Sequence, residues 1–159
     1  MKAILLRHAE AGWSGGVGSD FNRRLTEAGR SDAKRMGAWL RATHGDIAQS
    51  AVSAARRTVE TWELLGLTHD ADVRQDLYLA EPDAYARALQ SSGTMLIVGH
   101  NPGIARLAEL LSHTAPDHQQ FHRFSPCACL VLSFEGMPTE GAGQVIDFVV
   151  PGDLPGEIR

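Results

Sequence analysis

The 159-residue chain carries a formal net charge of −4 and two cysteines. It therefore lacks both the surplus of Lys and Arg with which a general nucleic-acid binder displaces counterions and a disulfide framework. Its 43% hydrophobic and 21% charged residues are those of an ordinary globular chain, long enough to bury roughly two-thirds of its unfolded surface without staples. No apolar run approaches a membrane span, and the four apolar residues between Lys2 and Arg7 are too few for a secretory signal. A cytoplasmic, single-domain protein over residues 1–159 is expected, with no nucleic-acid or membrane partner and with a monomer favoured.

Ile4, Leu5 and Leu6 form an apolar run of strand length, unbroken as in parallel strands covered on both faces. It ends in Arg7 and His8, placing both at a strand's carboxyl end, where open α/β sheets bind ligands. Taken alone, such a pair is more often a strand cap beside a solvated charge. Residues 11–24 read as a loop rich in Gly and polar side chains, which delivers Arg23 and Arg24 to the start of a helix with Thr26 as N-cap and Glu27 in its first turn. Ala28, Met36, Trp39 and Leu40 supply that helix with an apolar stripe, which Gly29 and Gly37 weaken, and Gly45 marks its end.

A second strand, Ile47 to Val52, leads through Ser53 into a helix that carries Arg56 and Arg57 in its first turn. Cations there face the positive end of the helix dipole, an unfavourable placement unless an anion joins them or water screens them. A third strand lies around residues 71–75, followed by a helix with Pro82 at its first position, Asp83 in its first turn and Tyr85 and Leu89 facing inward. Thr94 to Val98 is the clearest strand. It stops at Gly99-His100-Asn101-Pro102, where Gly99 admits a ligand to the backbone, Asn101 reads as an N-cap and Pro102 as the first helical residue.

Beyond a polar connection, Cys127 to Phe134 and Gln144 to Val149 form a predicted hairpin, and residues 151–159 a loose tail. Cys127 and Cys129 share a face as buried free thiols. His113, His118 and His122 match no standard zinc spacing and read as solvated loop residues. Trp39 and Trp62 fall at helical spacing and are expected in the core.

The alternation of strands and helices predicts an α/β fold with a largely parallel sheet whose loops gather Arg7, His8, Arg23, Arg57 and His100 at one edge. Such a cluster is costly without an anion, and it suits a phosphoryl group: arginines offer planar forks to its oxygens, and a neutral imidazole offers a nitrogen nucleophile.

Four landmarks carry a resemblance: Arg7-His8-Ala9, Arg23-Arg24-Leu25-Thr26-Glu27-x-Gly29, Ser53-x-x-x-Arg57-x-x-x-Thr61 and Val98-Gly99-His100-Asn101. In order and interval they resemble the histidine phosphatase superfamily, and in length the chain is similar to its small SixA-type branch of phosphohistidine phosphatases. The resemblance covers residues 2–111 well and the last strands loosely. It implies a phosphoglycerate mutase-like, three-layer α/β/α sandwich with a mostly parallel sheet and an antiparallel strand near the carboxyl terminus. It further implies His8 as nucleophile, Arg7 and Arg57 gripping the phosphoryl oxygens, His100 completing the pocket, and Arg23, Asn101 and Glu81 as substrate-binding candidates. The substrate would be a phosphohistidine-bearing protein or a small phosphorylated molecule, turned over in two steps through a phosphohistidine enzyme, with no metal and no cofactor.

Three departures stand out. Ala9 replaces the familiar glycine, Ala54 the usual proline, and Leu79 falls where many relatives carry a glutamate acid, leaving nearby Glu81 as the substitute. Weak provision of acid tilts the reading towards phosphohistidine, whose ring brings its own titratable nitrogen. A small-molecule phosphatase, a phosphoglycerate mutase-like transferase and a non-catalytic phosphohistidine or phosphopeptide reader stay open beside it.

Overall fold

The amino-terminal apolar run becomes a central strand because both of its faces find cover. In β1 (Lys2–Arg7), Ala3 and Leu5 point into one core and Ile4 and Leu6 into the other, all fully buried. The computed structural model describes residues 1–13, 18–89 and 92–156. Ser14, Gly15 and Gly16 of the expected loop, and the last three positions of the expected tail, lie outside the described residues.

After β1 come α1 (Glu27–Thr43), β2 (Ile47–Ser53), α2 (Arg56–Leu65), β3 (Asp72–Arg74), α3 (Pro82–Ala88), β4 (Thr94–Gly99), α4 (Gly103–Leu111), β5 (Cys129–Ser133) and β6 (Gln144–Val149). The strands form a sheet in the order β3-β2-β4-β1-β5-β6. The first four run parallel, and β5 is antiparallel to both of its neighbours, β1 and β6. On one face Met36, Leu40 and Leu65 of α1 and α2 pack over Ile4, Leu6, Val52 and Val98. On the other, Tyr85, Ile104, Leu107 and Leu111 of α3 and α4 cover Leu5, Ile97 and Leu130. This is the expected three-layer sandwich, with its antiparallel strand near the carboxyl terminus.

The glycines that weaken the periodicity of α1 are its tightest packing points. A Cβ on Gly29 would lie 2.1 Å from the Glu10 carbonyl oxygen, and one on Gly37 would lie 2.3 Å from that of Leu65. The buried stripe of α1 is therefore Gly29, Ala33, Met36, Gly37 and Leu40, whereas Ala28 is exposed. Thr26 caps the helix as expected, its hydroxyl accepting from the Gly29 amide at 3.0 Å.

Elsewhere local signals yield to tertiary ones. Pro102 takes the N-cap position of α4, following a cis peptide bond, and Asn101 does not cap the helix. Its amide donates instead to the carbonyls of Arg123 and Phe124, both at 3.0 Å. The tail also departs from expectation. Pro151–Asp153 forms a 3-10 turn, Leu154 is buried, and the Arg35 guanidinium donates to the carbonyls of Pro151, Leu154 and Pro155. Trp39 and Trp62 are half-buried against the α1–α2 core, and Cys127 and Cys129 are buried free thiols whose pKa values burial pushes up. No described helix is long and apolar enough to cross a membrane.

Candidate functional site

The register of the sheet builds the site. Arg7 pairs with Gly99 across β1 and β4, and Val52 pairs with Val98 across β2 and β4, so three adjacent parallel strands end together. His8, His100 and Ser53 are thereby neighbours. The two imidazoles lie 5.3 Å apart between ring centroids.

The hydrogen bonds of His8 fix its tautomer. Nδ1 lies 2.7 Å from the Ala9 carbonyl, which can accept but not donate, so the hydrogen sits on Nδ1 and the lone pair on Nε2. The Nε–H of Arg57 points at that lone pair from 3.3 Å. Burial first, then the cations of Arg57, Arg7 and Arg23, depress the His8 pKa to about 3. His100 is likewise lowered to about 3 by burial and by its charged neighbours. Both rings are neutral at pH 7.

The Ser53-x-x-x-Arg57-x-x-x-Thr61 spacing has a structural reason. Ser53 ends β2 with its hydroxyl 2.7 Å from His100 Nε2, while Arg57 and Thr61 share one face of α2, a turn apart. The Thr61 hydroxyl accepts from the Ala9 amide at 3.0 Å and donates to the Arg57 carbonyl at 2.7 Å, tying the backbone after His8 to the helix that carries Arg57. Arg57 is 2% exposed and its neighbour Arg56 is exposed, so of the two cations at this helix start one serves the site and the other faces solvent.

Arg7 donates through Nη1 to the Phe124 carbonyl at 3.1 Å. Its Nε and the Nδ1 of His100 are buried with no partner among the described residues. Burial and the cations of Arg57 and Arg123 lower the Arg7 pKa. Unpaired buried polar atoms in a ring of cations mark where an anion would be held.

Arg23 serves the loop rather than open space. Its donors go to the carbonyls of Gly12 and Ala11 and to the Asp20 carboxylate, and its guanidinium lies 4.2 Å from the ring centroid of the exposed Trp13. Glu81 is not brought to the cluster: its side chain is 74% exposed and paired with Arg106 at 3.7 Å. Leu79 is exposed with φ +48°. Gly99 gives its space to the Tyr85 ring, since an added Cβ would lie 2.6 Å from it. The expected role of that glycine in admitting a ligand is thus corrected. The Tyr85 hydroxyl accepts from the His100 amide and donates to the Leu77 carbonyl, both at 2.9 Å.

Sequence reasoning missed Asp20 and Tyr78. Asp20 accepts from Arg57 through both its main-chain carbonyl (Nη1, 2.7 Å) and its carboxylate (Nη2, 3.1 Å). Tyr78 donates to the same carboxylate and sets its ring edge-on to His100. These bonds, that from Tyr78 foremost, hold the Asp20 pKa down at about 2. The one signal available was a carboxylate three residues before Arg23.

Among the described residues no group of three or more His, Cys, Asp or Glu is placed to hold a metal ion. His113, His118 and His122 engage separately with the Gly141 carbonyl, Asp153 and Glu109.

The family follows from a sequence comparison: the profile of the Histidine phosphatase superfamily (branch 1) matches residues 3–86, which carry Arg7, His8, Arg23 and Arg57. The chain belongs to that superfamily. A SixA structure from Nakamurella multipartitia is 26% identical, with a TM-score of 0.80 over 94% of this chain and 95% of that one. A SixA structure from Agrobacterium tumefaciens is 24% identical, with a TM-score of 0.76 over 94% and 97%. The protein histidine phosphatase SixA complexed with tungstate is 22% identical, also at 0.76, over 96% and 99%. The fold is accordingly phosphoglycerate mutase-like, of the SixA type. No curated protein matches the chain in sequence.

The buried neutral rings carry a consequence for stability. Unfolded, His8 and His100 bind protons below their ordinary pKa of 6.5, whereas the folded protein refuses them until about pH 3. Stability is therefore expected to be steady above pH 6.5 and to fall as pH drops from there towards 3, by up to about 1.4 kcal/mol per pH unit for each ring. Urea midpoints compared at pH 7.5, 6 and 4.5 check this; a midpoint constant across that range overturns it.

Proposed function

We propose that the chain is a phosphatase acting on phosphohistidine through a phosphoryl-enzyme on His8. The observation that carries the reading is the Nε2 lone pair of a buried, neutral His8, aimed into a cluster of guanidinium groups. Nε2 attacks phosphorus in line, the substrate's P–N bond breaks, and its electron pair stays on the departing ring nitrogen. Water then attacks the phosphorus on His8, and Nε2 regains its lone pair as phosphate leaves. Arg7 and Arg57 hold the phosphoryl oxygens throughout. We assign the Ser53 hydroxyl as donor to His100 Nε2, which puts the hydrogen of that ring on Nδ1, without a partner among the described residues, where it meets a third oxygen. The arginines supply the charge stabilisation that a metal ion supplies elsewhere.

The choice of phosphohistidine rests on the proton supply. An alkoxide leaving group needs an acid, and the candidates here are poor ones: Leu79 is apolar, Glu81 is engaged with Arg106, and Asp20 stays ionised. The SixA relatives favour the same substrate class, and tungstate, the ligand in one of them, is a tetrahedral oxyanion like phosphate.

The test is phosphate release from a phosphohistidine-bearing protein domain in the presence of EDTA, with the chain itself sampled for a transient, acid-labile and alkali-stable phosphoryl label. Undiminished release together with that label is the expected result. Release from alkyl phosphates alone would replace this reading with a small-molecule phosphomonoesterase. Tight phosphate binding without any release would make the protein a reader.

A further inference from the structure

We propose that Asp20 sets the substrate class of this site: its carboxylate accepts the free ring N–H of a phosphorylated imidazole, selecting phosphoramidates over phosphate esters. The inference rests on the phosphohistidine reading above and adds a residue that discriminates. Its geometry runs through one guanidinium. Arg57 touches His8 Nε2 with Nε and the Asp20 carboxylate with Nη2, so nucleophile and carboxylate flank the same buried cation, a guanidinium's width apart. In-line attack by Nε2 sends the leaving group to the side away from His8, and the proposal places that departing ring beside the Asp20 carboxylate.

The carboxylate is fixed and incompletely used. Arg23 holds one oxygen at 3.2 Å, Arg57 and Tyr78 hold the other, and Arg23 is itself pinned to the carbonyls of Ala11 and Gly12. An ionised carboxylate offers about four acceptor positions. Among the described residues three are taken, and the side chain is 35% exposed, which leaves a position within reach of a ligand.

That open position treats the two substrate classes in opposite ways. A phosphorylated imidazole protonated on its second nitrogen presents an N–H and a positive charge, both favourable beside a carboxylate. As the P–N bond breaks, the electron pair settles on the released nitrogen, the other nitrogen keeps its hydrogen on Asp20, and a neutral imidazole leaves with no proton transferred. An ester leaves as an alkoxide, whose growing negative charge faces a fixed carboxylate. The Tyr78 phenol, its pKa raised by burial and by Asp20, is a poor donor to relieve it.

The experiment compares kcat/KM for phosphoimidazole and for p-nitrophenyl phosphate in the native chain and in Asp20→Asn. The expected result is a loss of about tenfold or more on phosphoimidazole, the worth of one hydrogen bond to a charged group. Activity on the ester, which needs Arg57 but no acceptor for a ring N–H, should fall several-fold less, so the ratio shifts towards the ester. An equal loss on both substrates overturns the proposal, because Asp20 would then merely steady Arg57. A second measurement needs no variant. Native protein given 1-methyl-3-phosphoimidazolium, a cation without the N–H, should show a rate enhancement over uncatalysed hydrolysis at least about tenfold smaller than with phosphoimidazole; equal enhancements overturn the proposal. If the native chain hydrolyses the ester and neither phosphoramidate, the phosphohistidine reading itself falls and takes this inference with it, a pattern distinct from equal losses in the variant.

Discussion

His8→Ala is expected to lower turnover of a phosphohistidine domain by about 100,000-fold or more, the scale on which a covalent nucleophile is missed. Phosphate binding should survive. The donors proposed for the oxyanion belong to Arg7, Arg57 and His100, and none of them is removed. The substitution also deletes a buried ring that sits unprotonated among cations, so the Arg57 Nε–H left behind has a vacated space in which an oxyanion or water can serve it. Rapid-quench measurement of the phosphoryl-enzyme, paired with calorimetric titration of inorganic phosphate, separates the two effects. Loss of both label and turnover with binding retained assigns His8 as nucleophile. Substantial turnover in the variant would move the nucleophile elsewhere.

Most of this arrangement was legible because its parts are sequence-local. An apolar run ending in Arg7-His8 is a strand end whatever the rest of the chain does, and Thr94 to Gly99 is another; parallel pairing of the two then forces His8 beside His100. The helix dipole drew attention to Arg56 and Arg57 alike, and the Ser53-x-x-x-Arg57-x-x-x-Thr61 resemblance, not the dipole, singled out Arg57. The misreadings arose where two local rules competed with a distant partner. Asn101 has the chemistry of an N-cap, yet the carbonyls of Arg123 and Phe124, some twenty residues away, claim its amide. Gly99 has the freedom to admit a ligand, yet the Tyr85 ring occupies that space. Asp20 was illegible because its meaning lies wholly in tertiary structure: in a Gly-rich loop a lone aspartate reads as turn chemistry, and its contacts come from α2 and from the segment after β3. Glu81 was chosen by proximity in sequence to the position of Leu79, and proximity in sequence does not carry a side chain across a helix start.

Arg57→Ala is expected to lower kcat/KM by about 1,000-fold and to weaken phosphate binding in parallel, because the proposed mechanism uses this buried guanidinium in both the ground-state and the transition-state grip on the phosphoryl group. Arg57→Lys should recover little of this. A lysine restores the charge but is a single point donor, whereas the guanidinium spans His8, the Asp20 carbonyl and the Asp20 carboxylate at once. The same pair of variants distinguishes what holds the proposed nucleophile neutral. Burial is the leading cause of the depressed His8 pKa and the Arg57 cation a lesser one. In Arg57→Ala the pKa should therefore rise above its native value of about 3 yet stay below 6.5, with the lysine variant between the two. Nitrogen-detected titration of the imidazole reads it directly. A pKa returned fully to 6.5 in the alanine variant would mean that the cation, and not the dry pocket, keeps the lone pair free. The nucleophile would then be primed by the same group that binds its substrate, and its reactivity would change each time a phosphoryl group neutralised that arginine. With burial in charge, Nε2 is ready before the substrate arrives, and the Arg57 cation, already shared with the Asp20 carboxylate, is not needed to prime the ring and can serve the proposed grip on the phosphoryl oxygens.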